Sequence, residues 1–180
     1  MKTKHTSGSL RWRNVLPWVL YSIIALILAL VQTSPNGFPT IAFARPTPLV
    51  LFVVCVAVLE GPTIGSVMGI VSGLLWDLYA PLLFGYYGLM LMLIGVTVGL
   101  LVQWWLRANF SSAMLLCAGA VVIYTFLDWA LCYVLFMDSE TIAALTGMYL
   151  PNALYTVLLS PFVYWFILWI ARLVRRRKNV

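Results

Sequence analysis

The amino-acid sequence predicts an all-α integral membrane protein with six transmembrane helices. Hydrophobic residues make up 63% of the 180 positions and charged residues only 9%, whereas a soluble domain carries charges at roughly a quarter of its positions. The basic residues lie mainly at the two termini, a pattern that indicates membrane topology and argues against a nucleic-acid surface. Glycine also recurs at every fourth position of one apolar segment, which is typical of closely packed membrane helices.

The first two helices are separated by a proline-rich segment. Helix 1 is predicted from about Val15 to Val31, after the mostly polar, basic residues 1–14. The segment Thr33 to Pro48 is predicted to be a loop or a broken, partly re-entrant piece. Helix 2, from Leu49 to Leu59, is too short to cross a membrane alone at roughly 1.5 Å per residue. We therefore expect Ile41 to Phe43 to supply a non-helical outer part.

Helix 3 contains the glycine ladder. Pro62 suits the first turn of a helix and Pro81 follows its end, so the helix is predicted from Pro62 to Tyr79, about 27 Å long. A ridge without side chains lets another backbone approach closely. We expect this groove to pack the protein's own core or to accept a partner's transmembrane helix, and Gly69→Leu to abolish folding or partner binding. The ladder residues of helices 3 and 4 are Gly61, Gly65, Gly69, Gly73, Gly88, Gly95 and Gly99.

The remaining helices complete the transmembrane domain. Helix 4 is predicted from about Phe84 to Trp105, as the antiparallel partner of helix 3. Helix 5 is predicted from about Ser111 to Phe136. Helix 6 begins near Met148 and contains Pro161, where a kink is expected because proline removes one backbone hydrogen bond.

The predicted helices define a single domain with two tails. The six-helix transmembrane domain covers residues 15–173, between a basic tail of residues 1–14 and another of residues 174–180. An even number of crossings places both basic termini on the cytoplasmic side of the bacterial plasma membrane.

Acidic residues near the membrane require partners, because an unpaired carboxylate is costly there. Glu60 and Asp77 are expected at opposite membrane faces. Arg45 is predicted on the same outer side as Asp77, and we hypothesise a contact between the two. Asp128 on helix 5 has no obvious basic partner. The alternatives for it are protonation, a partner protein, or a hydrogen bond to Tyr124, Asn152 or Ser160.

Catalytic and metal sites are not predicted. The Gly-x-Gly-Asp motif of intramembrane aspartyl proteases is absent around Asp77 and Asp128, and no serine-hydrolase or zinc-protease motif is present. The only histidine, His5, lies in the first tail, so no metal or other cofactor is expected. The three cysteines lie in apolar runs and are predicted to be buried thiols without a disulfide: Cys55, Cys117 and Cys132.

A polar patch is predicted at the start of helix 6. Asn152 and Tyr155 are three positions apart and therefore neighbours on one helical face, next to Pro151. The patch is either a helix start with an interfacial tyrosine or an outward-facing recognition surface.

Four motifs occur together in this small chain. They are Glu60-Gly-Pro, the ladder from Gly65 to Asp77, Gly85-x-x-Gly88, and Leu150-Pro-Asn-Ala-Leu-Tyr155 followed by Pro161. With the short second helix, this combination resembles the MreD family of bacterial rod shape-determining membrane proteins over nearly the whole chain.

The resemblance implies a non-enzymatic member of the elongasome, the complex that builds the lateral cell wall. The implied partners are an MreC-type single-span protein, a RodA-type glycosyltransferase, a class B penicillin-binding protein and, indirectly, the MreB filament. The family is similar in fold to the vitamin-binding S components of energy-coupling-factor transporters, which gives an alternative function. Ala25 and Ala29 form an Ala-x-x-x-Ala pair like the one through which S components contact their coupling subunit.

Overall fold

The computed structural model is a bundle of helices. It describes residues 7–34, 46–79, 84–105, 109–136, 147 and 149–178, with side chains given between residues 17 and 131 and between 147 and 173 of these ranges. The described residues form six helices. They are α1 (Ser7–Thr33), α2 (Pro48–Glu60), α3 (Pro62–Asp77), α4 (Tyr86–Trp104), α5 (Phe110–Phe136) and α6 (Leu150–Lys178).

Helix α2 lies at the centre of the bundle and contacts each of the other five helices. Every residue from Pro48 to Val58 is buried. A helix that is apolar on all sides is expected to be buried on all sides. Because α2 meets protein rather than lipid, its 13 residues do not have to match the thickness of a bilayer. The prediction of a short second helix is confirmed.

Both ends of α2 are held by specific contacts. At its start, the side-chain oxygen of Gln32 accepts a hydrogen bond from the Leu49 amide at 3.4 Å. The hydroxyl of Thr156, on α6, accepts another from the Thr47 amide at 3.1 Å. At its end, Gly61 adopts a φ of +94°, which side-chain-bearing residues rarely adopt, and this lets α3 begin at the next residue.

Several helix boundaries differ from the predicted ones. α1 begins at Ser7, inside the segment predicted as a tail, so the first helix is longer than predicted. α4 begins at Tyr86, later than predicted, because Gly85 precedes it with a left-handed φ of 93°. α3 ends at Asp77, where a turn begins. Pro161 lies within α6, as predicted.

Some predicted features lie outside the described residues. These are the outer segment Ile41 to Phe43, Arg45, Pro81 and the side chain of Cys132. Cys55 and Cys117 are buried free thiols, as predicted, with their sulfur atoms 4.0 Å apart.

The helices have the apolar character of a membrane protein. Three of those described are long and apolar enough to cross a bilayer: Tyr86–Trp104, Phe110–Leu131 and Leu150–Leu173. Shorter apolar stretches are Pro17–Thr33 and Pro48–Glu60. From Val67 onward, the face of α3 opposite its glycines exposes large apolar side chains at helical spacing, as a lipid-facing surface does. They are Val67, Ile70, Leu74 and Leu78.

Candidate functional site

The glycines of α3 and α4 form one antiparallel contact, which we call the glycine seam. It is the most extensive contact between helices in the described bundle. A methyl group added at Gly69 would lie 2.5 Å from the Leu91 carbonyl oxygen, and one at Gly65 would lie 2.5 Å from the Ala57 side chain. Both distances are too short for real atoms, so no partner helix has room there. The seam consists of Gly65, Gly69, Gly73, Gly88, Gly95 and Gly99.

The members of the seam do not contribute equally. A methyl group at Gly73 would collide with the backbone of Gly88. A methyl group at Gly88 itself would make only ordinary contacts of 3.5 Å with Asp77 and Leu74. Gly61 was predicted to belong to the same groove, but a methyl group there would meet nothing within 4 Å. Its glycine is required by the backbone angle of the α2–α3 turn.

Asp77 ends α3 and caps α4. Its Oδ1 atom accepts a hydrogen bond from the Tyr87 amide at 3.1 Å, and its Oδ2 atom accepts one from the Gly88 amide at 3.1 Å. The first-turn amides of a helix lack partners within the helix, and the positive end of the helix dipole favours an anion. The residue at the N-cap position, Gly85, has no side chain to serve them. Asp77 is buried, with 6% of its surface exposed, and both of its carboxylate oxygens accept a hydrogen bond from the start of α4.

The partner of Asp128 is Tyr87. The tyrosine hydroxyl donates a hydrogen bond to Asp128 Oδ1 at 3.0 Å. Of the described partners predicted for Asp128, neither Tyr124 nor Ser160 forms this bond, and Ser160 instead donates to Val157 at 2.6 Å. Tyr87 was not among the partners predicted for Asp128, because it lies on α4 at a position that no periodic pattern singled out.

The two aspartates bind different parts of one residue. Asp77 accepts a hydrogen bond from the Tyr87 backbone amide, and Asp128 accepts one from the hydroxyl of the same residue. Among the described residues no hydrogen bond joins the two carboxylates, as a pair that shares a proton would require. Within the described residues, no group of three or more metal-ligating side chains is present either.

Aromatic rings surround Tyr87. Its ring stacks on that of Trp76, with centroids 4.9 Å apart and an interplanar angle of 7°. Tyr124 packs against both, at 5.6 Å from Trp76 and 6.4 Å from Tyr87. Trp76 and Tyr87 were not predicted as site residues. The signal available was the concentration of aromatic residues around Asp77 and before Gly88.

These residues line a cavity of about 270 Å³, which we call the polar cavity. Residues of α1, α3, α4, α5 and α6, with two residues that precede α2, contribute to its wall. The cavity lies beside the end of α3 and the start of α4, which contribute Trp76 and Tyr87. The lining residues are Gln32, Pro46, Thr47, Trp76, Tyr87, Tyr124, Thr125, Asp128, Tyr149, Asn152 and Ala153.

The other predicted polar residues are divided between the two ends of the bundle. Asn152 lines the polar cavity, whereas Tyr155 is half-buried on α6 and lies outside that lining. Glu60 lies at the opposite end of α3, where it accepts a hydrogen bond from the Tyr21 hydroxyl at 3.3 Å. Arg45 is outside the described residues, so its predicted contact with Asp77 stays a prediction.

The fold and the cavity define a small, all-helical membrane protein. A family model described as rod shape-determining protein MreD matches residues 12–175. The chain therefore belongs to the MreD family, whose members determine rod shape. No curated protein sequence and no solved structure matches the chain.

Proposed function

We propose that the protein is a non-enzymatic membrane component of the bacterial elongasome. In this role it supports rod shape and lateral peptidoglycan synthesis through contacts with an MreC-type single-span protein, a RodA-type glycosyltransferase and a class B penicillin-binding protein, and indirectly with the MreB filament. The observation that carries the proposal is the family match across residues 12–175.

The geometry of the site supports a role based on contact. The carboxylate of Asp77 binds two backbone amides, and the seam glycines pack against the chain's own backbone. Both features therefore support the fold. Partner proteins then bind surfaces other than the seam, and of the two roles predicted for Gly69, folding and partner binding, the geometry favours folding.

The proposed topology has six crossings with both termini in the cytoplasm. The short α2 fits this arrangement because its surface is covered by the other helices. Fusions to alkaline phosphatase and to a green fluorescent protein test it. We expect phosphatase activity after Ser34 and fluorescence after Val180, and the opposite result at either point would overturn the topology.

The alternative function, a vitamin-binding S component, is not supported. Its coupling contact would use Ala25 and Ala29, but both are buried within the chain, with exposures of 0% and 3%. A surface covered by the protein's own helices is not available to a coupling subunit.

Copurification tests the proposed function. The protein is tagged at its N-terminus, extracted from its native membrane in a mild detergent, and its partners are identified by mass spectrometry. An untagged strain and a tagged polytopic protein of unrelated function serve as controls. Recovery of an MreC-type protein with wall synthases is the expected result. Recovery of transporter ATPases with a coupling subunit would contradict it.

A further inference from the structure

We propose that the polar cavity binds an ammonium group, carried either by a small soluble amine or by the headgroup of a lipid. The inference does not depend on the proposed function. It rests on the charge, the aromatic rings and the size of the cavity.

Asp128 is the acidic side chain that faces the cavity. Asp128 is the one carboxylate among the described lining residues, and no lysine, arginine or histidine is among them. Asp128 lies in the apolar span Phe110–Leu131, where an acidic side chain is costly unless a partner compensates it. Its bond from Tyr87 uses one of the roughly four acceptor positions of a carboxylate. An ammonium group beside Asp128 would be such a partner.

The aromatic rings suit the same ligand. Trp76, Tyr87 and Tyr124 all line the cavity with Asp128. Ammonium groups are attracted to the faces of such rings at distances of up to about 6 Å, and aromatic residues recur around quaternary ammonium ligands. The hydrogen bond from Tyr87 holds the carboxylate beside the aromatic cluster, so both attractions act within one space.

The size and the neutral polar groups favour a small ligand. The volume of about 270 Å³ lies near the lower end of the range for ligand pockets, roughly 300–1,000 Å³. The side chains of Asn152 and Thr125 line the same space, and their oxygen atoms can accept hydrogen bonds from the ammonium group of an ethanolamine or from the hydroxyl group of choline. An ethanolamine or choline group therefore matches the cavity in charge and size.

Choline is the probe for the first experiment. The full chain is purified in a maltoside detergent, which carries no ammonium group, and binding is measured by saturation-transfer NMR and calorimetry. The neutral isostere of choline, 3,3-dimethylbutan-1-ol, is the matched control ligand. We expect saturable choline binding and at least about tenfold weaker binding of the isostere. Absence of choline binding, or equal binding of the two, would overturn the proposal.

Two variants locate the site. Asp128→Asn removes the charge but keeps an oxygen for the Tyr87 hydroxyl, and we expect it to weaken choline binding at least about tenfold. Glu60→Gln is the matched control, since Glu60 also accepts a tyrosine hydrogen bond but lies away from the cavity. Equal loss in both variants would place the binding elsewhere. The comparison of choline with its isostere uses the unaltered chain, so it stands even if Asp128→Asn fails to fold.

Lipid nanodiscs distinguish the two sources of the ammonium group. Both disc types contain the same fraction of anionic phosphatidylglycerol, and the remainder is either phosphatidylethanolamine or a nitrogen-free glycolipid. A lipid headgroup in the cavity would compete with choline and weaken its binding in the ethanolamine discs. Equal choline binding in the two disc types would assign the site to a soluble amine. Either result supports an ammonium site, whereas no choline binding in either disc would contradict it.

Discussion

The carboxylate of Asp77 accepts a hydrogen bond from the backbone amide of Tyr87 and thereby joins the last turn of α3 to the first turn of α4. A second bond, to the Gly88 amide, completes the cap. The two helices are therefore joined by the Asp77 carboxylate at one end and by close backbone contacts at the seam glycines along their length.

Asp77→Asn is expected to lower the free energy of unfolding by about 1–2 kcal/mol, because an amide group replaces one of the two acceptor oxygens with a donor. Denaturant unfolding of the purified protein in detergent measures the change. Ser66→Ala is the control, since its hydroxyl bonds only within α3, to the Thr63 carbonyl at 2.9 Å. Equal stability of Asp77→Asn and the unaltered protein would contradict the capping role.

Gly73→Ala and Gly88→Ala are expected to have opposite effects, although both add one methyl group to the seam. At Gly73 the methyl group collides with the backbone of α4, so we expect a loss of about 1–3 kcal/mol. At Gly88 the contacts are ordinary, and the better helix propensity of alanine makes the change neutral or stabilising by up to about 1 kcal/mol. Thermal unfolding of the two variants measures this difference. Similar losses of stability in both variants would contradict the difference in packing between Gly73 and Gly88.

Thr156→Val is expected to destabilise the protein by about 1–3 kcal/mol, because it removes the acceptor of the Thr47 amide in a buried place. The matched control is Thr97→Val. Thr97 is exposed, and its hydroxyl bonds only to carbonyl groups of its own helix. Unfolding midpoints of the two variants give the comparison, and a smaller effect at Thr156 than at Thr97 would contradict the stabilising role of the Thr47–Thr156 hydrogen bond.

Ser72→Ala is expected to stabilise the protein by about 1 kcal/mol. The Ser72 side chain is fully buried, and its hydroxyl has no hydrogen-bond partner among the described residues, so alanine removes an unsatisfied polar group. Ser160→Ala serves as the comparison. The buried Ser160 hydroxyl donates a hydrogen bond to the Val157 carbonyl, so we expect its removal to destabilise the protein. If Ser72→Ala had a lower free energy of unfolding than the unaltered protein, the prediction would be wrong, because the hydroxyl would then contribute to stability.

The sequence predicts those features that depend on local spacing. Glycines at every fourth position of α3 indicate one bare ridge, and the structure places α4 against it. The proline-rich segment before Leu49 likewise predicts a short second helix, whereas the complete burial of that helix is seen only in the structure. The ridge and the helix start both follow from local sequence pattern.

The hydrogen bonds between helices that are distant in the sequence could not be predicted from it. Asp128 and Tyr87 are 41 positions apart, and Thr47 and Thr156 are 109 positions apart. Nothing in the local pattern distinguishes Tyr87 from Tyr86, and only the rotation of α4 set by the seam selects one of them. The polar cavity escaped prediction for the same reason, because residues from all parts of the chain form its wall.

The position of α2 also determines the order in which the chain can be completed. Its starting amides are bound by Gln32, which is synthesised before α2, and by Thr156, which is synthesised near the end of the chain. While the ribosome is still translating the intervening helices, the Thr47 amide has no Thr156 to bind. The contacts at the start of the central helix are thus completed only after α6 has been synthesised, and a chain truncated before α6 leaves one side of α2 uncovered.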